Sequence, residues 1–252
     1  MTTVLKMSDV NVTFTSGWGR RRTRSRAMKD VTLEVEAGRT LGVVGESGSG
    51  KSTTGSVALG LRRPDSGTVE VLGRPAAERG RALRGRVQAV LQHPHWSLNP
   101  RRRVGVSVRE PLAVAARRLG REEQRERVVR ILEQVGLDAA TADRYPHELS
   151  GGQRQRVSVA RALITEPGFI VFDEAVSALD VSVQSQILEL IRELQASHTF
   201  GALFISHDLA AVRRVADTIA VMRHGEVLET APAERFFTDP AHEYSRRLLA
   251  AL

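Results

Sequence analysis

The chain has 252 residues, 37 Lys+Arg against 29 Asp+Glu, a net charge of +8 and 41% hydrophobic residues. This is the composition of an ordinary soluble globular protein with core enough for one or two domains. It has no cysteine, which excludes disulfides, thiol catalysis, cysteine-ligated zinc and iron–sulfur clusters. Met1-Thr2-Thr3-Val4-Leu5-Lys6 carries no apolar secretory signal, and the longest apolar runs, such as 169–172, are too short to span a bilayer. Membrane association is therefore expected only through partners.

Residues 4–14 and 31–35 read as strands on either side of a basic, glycine-containing insert, 16–26, that holds Arg20, Arg21, Arg22, Arg24 and Arg26. A short apolar strand follows at 40–44, then Gly45-Glu46-Ser47-Gly48-Ser49-Gly50-Lys51-Ser52, then a helix predicted over 53–61. The octapeptide fits G-x-x-x-x-G-K-[ST] without mismatch and in its strand–loop–helix context. Glycines let the backbone curl so that successive N–H groups face one point, and the helix N-terminus adds partial positive charge, making an anion cradle. Lys51 is expected to reach the terminal phosphates and the Ser52 hydroxyl to ligate Mg²⁺, with Thr53 among the phosphate contacts. Only Lys6, Lys29 and Lys51 among the 37 basic residues are lysine. One of the three thus stands where a compact point charge is wanted and a rigid guanidinium fork would not fit.

Further short strands are expected at 68–72 and 87–91. From 94 to 165 the pattern turns helical, with apolar residues 128, 131, 132 and 135 on one face of a helix over 121–135. Leu149-Ser150-Gly151-Gly152-Gln153 opens a helix to about residue 163, with Ser150 a good N-cap. It reads either as a second helix N-terminus aimed at a phosphate or as an ordinary capped helix. The apolar run 169–172 ends in Asp173-Glu174, as a central strand stopping at an active-site edge does. Asp173 would hold Mg²⁺ and Glu174 would polarise an attacking water; the competing reading is a strand-end helix cap. Then come a helix over 181–196, a strand over 202–206, a helix over 208–216, a hairpin around His224-Gly225 and two terminal helical segments. Strands alternating with helices argue an α/β domain with a largely parallel sheet, and the helical middle argues an inserted subdomain.

The basic runs at 20–26, 101–103 and 117–130 suggest three surfaces: nucleic acid, solvated faces in an arginine-biased chain, or anionic lipid headgroups beside a membrane partner. Aromatic residues are few and not interleaved with the arginines, so no base-stacking platform is visible and the solvated faces are preferred.

With the 45–52 loop (Walker A), the 169–174 strand end (Walker B) and the 149–153 pentapeptide in order, essentially the whole chain resembles the nucleotide-binding subunit of ATP-binding-cassette (ABC) transporters. The resemblance implies a single P-loop NTPase cassette over 1–252, with a RecA-like core, an antiparallel β subdomain and a helical subdomain inserted at about 94–165. It implies ATP and Mg²⁺ as cofactors. ATP would contact residues 45–53, with Ser52, Gln92 and Asp173 as the metal set and Lys51, Glu174 and His207 as the catalytic set. Gln92 matches the Q-loop, Ser177-Ala178-Leu179-Asp180 the D-loop, and His207 the switch histidine on the γ-phosphate. Phe14 lies where the family stacks an aromatic on adenine, although it is equally placed to be a core strand residue; Trp18 is the weaker candidate. Two cassettes would pack head to tail, with Ser150, Gly151, Gly152, Gln153 and Asp180 of one facing the ATP of the other.

A narrower resemblance covers Gln92-His93-Pro94-His95-Trp96-Ser97-Leu98-Asn99-Pro100, Glu110-Pro111 and Asp239-Pro240-Ala241-His242-Glu243-Tyr244-Ser245-Arg246-Arg247-Leu248-Leu249. These runs look like the oligopeptide/dipeptide/nickel importer ATPases, with His93 in place of the usual Asp and Glu243 in place of the usual Pro. The chain also lacks the cysteine-containing C-terminal extension of many peptide-importer members. The resemblance implies an ATP-hydrolysing importer subunit for oligopeptides, dipeptides or nickel-type cargo. Its partners would be two integral membrane permease subunits, a second ABC ATPase and, through the complex, an external substrate-binding protein, at the cytoplasmic face of the membrane. Trp96 reads as an anchor for a membrane-subunit helix or as a subdomain packing residue. The alternative from another class is a soluble ABC ATPase acting on nucleic acid or ribosomes. The short, cysteine-free interval between residues 52 and 149 and the single cassette argue against it, so no nucleic-acid partner is expected.

Overall fold

The computed structural model describes residues 2–16, 23–76, 83–92, 98–115 and 119–250. Two sheets organise them. One is antiparallel, in the order β2-β1-β4-β5, from β1 (Thr3–Ser16), β2 (Thr23–Glu36), β4 (Ser66–Val71) and β5 (Arg74–Pro75). The other runs in the order β10-β9-β3-β8-β7-β6. It comprises β3 (Thr40–Val44), β6 (Val87–Leu91), β7 (Phe169–Asp173), β8 (Gly201–Ile205), β9 (Thr218–Arg223) and β10 (Glu226–Pro232). All its pairings are parallel except the closing β9–β10 hairpin.

The central strands are continuous apolar runs because both faces of the sheet are covered. Alternate residues serve different cores, as the two-residue strand period requires. Phe169 and Val171 of β7, with Leu203 and Ile205 of β8, pack toward the antiparallel sheet against Leu5, Met7, Met28 and Val57. Ile170, Phe172, Ala202 and Phe204 point the other way, into a core shared with Val159, Leu163, Ile187 and Ile191. Helix α1 (Lys51–Ala58) fills the space between the sheets. Helices α5 (Val181–His198) and α6 (Leu209–Val215) are the crossovers into β8 and β9.

Between β6 and β7 the described chain is helical: α2 (Val104–Arg109), a 3₁₀ turn (Glu110–Ala113), α3 (Arg121–Gln134), two more 3₁₀ turns (Ala139–Asp143, Pro146–Glu148) and α4 (Gly151–Leu163). Helix α3 buries Val128, Ile131 and Leu132, and Val135 just beyond it, the face that the helical period picks out. Two short helices, α7 (Ala233–Thr238) and α8 (Glu243–Leu249), close the chain.

Two elements differ from the sequence expectation by more than two residues at an end. Strand β2 starts at Thr23, so Arg24 and Arg26 are strand residues paired with Thr15 and Thr13, not part of an insert. Residues 23–26 are exposed throughout. With no face to bury, the segment shows no apolar alternation to read. Helix α1 spans 51–58, not 53–61, because Gly60 turns the chain at φ 62° and Leu61 N–H bonds back to the Ser56 carbonyl at 2.9 Å. Arg20, Arg21, Arg22 and Trp18, and the run 93–97 with Trp96, lie outside the described residues.

Candidate active site

The loop after β3 is wedged between two other strands, which dictates its glycines. Gly45 has φ 148° and Gly50 φ 110°, and a Cβ would lie 2.1 Å from the Met222 carbonyl oxygen at Gly45 and 2.3 Å from that of Ala27 at Gly50. Both obstacles are backbone, so neither position has room for a side chain. Inside the turn lies Lys51, 5% exposed, whose Nζ donates to the carbonyls of Gly45 at 2.7 Å and Glu46 at 2.8 Å. Burial pushes its pKa down, while Glu174, Asp173 and Glu46 pull it up. The β9–β10 turn braces the loop: Gly225 N–H donates to the Ser49 carbonyl at 2.9 Å, and the Gly225 carbonyl accepts from Lys29 N–H at 2.8 Å. Gly50→Ala is therefore expected to lower unfolding stability by about 1–3 kcal/mol through the strained φ and the Ala27 clash. Thermal unfolding checks this, and an unchanged melting temperature would contradict the wedged geometry.

Three strand ends meet beside this loop. Ser52 Oγ lies 3.3 Å from Asp173 Oδ1, at the end of β7. The Asp173 carboxyl is pushed up by burial and by Glu174, and pulled down by the Ser52 hydrogen bond and by Lys51. Glu174 turns out of the strand at φ 49°. Its N–H donates to the Ile205 carbonyl at 2.9 Å and its carbonyl accepts from the Ser177 hydroxyl at 3.0 Å, so backbone bonds on both sides hold it in that pose. His207 Nδ1, just past β8, stands 3.5 Å from Glu174 Oε1. Gln92 follows Leu91, which is registered opposite Asp173, so the Gln92 backbone enters at the same sheet edge.

Among the described residues no three or more His, Cys, Asp and Glu side chains are grouped to hold a metal by themselves. The half-buried Asp173 carboxylate with the Ser52 hydroxyl is a hard, two-oxygen donor set. It fits Mg²⁺ that arrives with phosphate oxygens of its own.

The remaining candidates are placed differently. Ser47 and Gly48 are exposed on the rim of the loop and Thr53 is half-buried in α1. Phe14, near the end of β1 opposite Ser25, is 42% exposed and not a core residue. Ser150 and Gln153 form a reciprocal cap: Gln153 N–H donates to Ser150 Oγ at 3.2 Å, and Ser150 N–H to Gln153 Oε1 at 2.9 Å. Gly151 faces Leu179, and a Cβ at Gly152 would meet Val183 Cγ1 at 2.6 Å. None of these contacts runs to residues 45–52. Asp180 caps α5 by accepting from Val183 N–H at 3.0 Å and the Ser182 hydroxyl at 2.7 Å, and these bonds hold its carboxyl below the usual range.

Several supports were invisible in the sequence. The Met222 and Ala27 carbonyls that mould the loop are backbone atoms of distant strands, and Arg62, which lies over the Phe14 ring, carries no motif. The closing 239–249 segment stands out in sequence, but not its place in the fold. Glu229 of β10 accepts from Ala241 and His242 N–H at 2.8 and 2.9 Å, fastening the start of α8. Tyr244 then sits buried under the Arg223 guanidinium, 4.6 Å from its ring centroid. Burial, with Glu46 nearby, raises the Tyr244 hydroxyl pKa.

A parallel sheet whose strand ends gather a glycine loop, a buried lysine, two carboxylates and a histidine defines a P-loop nucleotide hydrolase. The profile of the ABC transporter family matches residues 28–177. A putative peptide import ATP-binding protein of Brucella abortus is 49% identical over 229 residues, covering 89% of this chain and 68% of the relative. The di/tripeptide transport ATP-binding protein DppF of Pseudomonas aeruginosa is 46% identical, over 90% of this chain and 71% of its own length. The oligopeptide transport ATP-binding protein OppD of Mycobacterium tuberculosis is 48% identical over 90% of this chain but only 37% of its own. Among solved structures, cbiO1 from Clostridium perfringens, part of the transporter complex cbiONQ, matches at TM-score 0.81 and 26% identity over 100% of this chain and 96% of its own. The cassette MJ0796, a dimer in a post-hydrolysis state bound to ADP and Pi, matches at TM-score 0.77 and 27% identity over 91% and 98%. The chain belongs to the ABC transporter family, as its ATP-hydrolysing cassette. Among the described residues no helix is long and apolar enough to cross a membrane.

Proposed function

We propose that this chain is the ATPase subunit of an ABC importer for small peptides. The observation that carries the ATPase half is the convergence of Lys51, Ser52, Asp173, Glu174 and His207 at the ends of β3, β7 and β8. The importer half is supported by the 46–49% identity to relatives whose names specify peptide import or di/tripeptide transport, and by the 92–100 run in the sequence.

The backbone of 45–53 and Lys51 would bind the triphosphate, and Phe14 would take the adenine. Ser52 and Asp173, with Gln92 at the sheet edge, would hold Mg²⁺. Bound there, the ion would offset phosphate charge. Glu174 would accept the proton of the attacking water, and His207, beside it, would hydrogen-bond the γ-phosphate. Ser150, Gly151, Gly152, Gln153 and Asp180 would face the nucleotide of a second cassette. That cassette pair would dock on two permease subunits at the cytoplasmic face of the membrane, fed by an external binding protein.

Reconstitution of the complex in vesicles tests this reading. ATP-driven uptake of labelled di- and oligopeptides should require this chain, and chelating Mg²⁺ should abolish it. Uptake of Ni²⁺ but not peptide would replace the cargo. Co-purification with RNA or ribosomes in place of membrane proteins would replace the importer.

A further inference from the structure

The polarity at the exit of α1 is inverted. Leu61 is 64% exposed, while the next residue, Arg62, is half-buried. Among the described residues half-buried Arg62 takes part in no ion pair, and its Nε is buried without a hydrogen-bond partner. Its guanidinium instead lies over the ring of Phe14, Cζ 3.9 Å from the centroid, with Nη2 donating to the Thr13 carbonyl at 3.1 Å. A second clamp sits beside it. Thr13 N–H donates to Asp65 Oδ2 at 2.6 Å, and Asp65 N–H to the Asn11 carbonyl at 2.8 Å. The turn that leaves α1 therefore grips β1 at Asn11, Thr13 and Phe14.

We infer that Arg62 is a positioning residue for nucleotide binding: by covering one face of Phe14 and anchoring to Thr13, it fixes the ring so that its other face receives a purine base. This rests on the reading of Phe14 as the adenine platform.

The packing supports a positional role. Phe14 is 42% exposed, and among the described residues Arg62 lies over one face of its ring. A planar cation over one face is a favourable partner for an aromatic ring and leaves the opposite face for stacking. Both ends of the ligand are then set by one rigid element. Helix α1 carries the phosphate loop at its N-terminus and the Arg62 turn at its C-terminus, about 12 Å away along the axis. The β2 strand closes the frame from the other side. Ala27 touches Gly50 of the loop, and Ser25, two residues earlier, is registered opposite Phe14. Base and phosphate sites are in this way held to one spacing before any ligand binds, which lowers the ordering cost of binding.

The test compares wild type, Phe14→Ala, Arg62→Ala, Arg62→Lys and the Phe14→Ala/Arg62→Ala double variant by calorimetric titration of the full chain. Mg²⁺ with ATP, and Mg²⁺ with inorganic tripolyphosphate, are the probes. Phe14→Ala and Arg62→Ala should each weaken ATP by about two- to tenfold, the size of one stacking contact. Neither should change tripolyphosphate affinity, because the phosphate loop is untouched. The double variant should bind ATP no more weakly than Phe14→Ala alone, since Arg62 acts through the ring. Arg62→Lys, which keeps a cation there, should recover part of the loss and guards against a folding defect in the alanine variant. If Phe14→Ala leaves ATP binding unchanged, the adenine assignment fails and the inference falls with it. If Phe14→Ala weakens ATP but Arg62→Ala does not, only the inference fails. Equal loss for ATP and tripolyphosphate in Arg62→Ala would make Arg62 a general packing residue and also overturn it.

Discussion

Replacing Glu174 by glutamine should leave a protein that binds MgATP within about threefold of wild type yet turns it over at least about a hundredfold more slowly, the usual contribution of a general base. The geometry separates the two effects. Binding draws on the loop amides and on Lys51, whose contacts run to the Gly45 and Glu46 carbonyls. The unusual pose of Glu174 comes from its backbone, through Ile205 and Ser177, so an amide of the same shape should sit where the carboxylate does. What changes is the ability to take a proton from water. With chemistry blocked and binding intact, the nucleotide-bound cassette pair should accumulate. Single-turnover kinetics and size-exclusion chromatography with ATP read the two results. Near-normal turnover would move the proton acceptor elsewhere, and lost binding would mean that the carboxylate shapes the phosphate site.

What could be read from the chain, and what could not, follows from the range of the interactions. The 45–52 loop, the 169–174 strand end and the α3 face are local patterns. Each is a contiguous run whose residue types must suit a turn, a doubly covered strand or one side of a helix, so the sequence carries them openly. The first four residues of β2, 23–26, have no buried face and therefore no period. The fit of the phosphate loop depends on Met222 and Ala27, both contributing carbonyls that any residue would supply. Arg62 looks like one more arginine among 34 until the fold places it on Phe14. The 150–153 segment marks another boundary. Locally it is a capped helix start, the bland reading of the sequence. Its assignment to a nucleotide draws on family resemblance, because the groups that would complete that site belong to a second copy or a second cassette.

Lys51→Ala should remove most ATP affinity, by about 30- to 1,000-fold or ~2–4 kcal/mol, together with hydrolysis. Lys51 is the cation enclosed by the loop that would hold the phosphates, and burial has already stripped part of its hydration. A desolvated ammonium gains more from an arriving phosphate than an exposed one does, and its removal takes away the loop's own positive charge, leaving only its amide dipoles. Without nucleotide the same change strands the Gly45 and Glu46 carbonyls, so a stability loss of about 1–3 kcal/mol should accompany it. Lys51→Arg is the sharper comparison. It keeps the charge, but a planar guanidinium must enter a turn that closes on Nζ at 2.7 and 2.8 Å, so it should also bind poorly. This restriction accounts for a lysine at a position of a chain that otherwise uses arginine almost throughout. Nucleotide titration of both variants decides the matter. Unchanged ATP affinity in Lys51→Ala would separate this loop from phosphate binding, and full affinity in Lys51→Arg would show that charge alone, without the narrow fit, is what the loop requires.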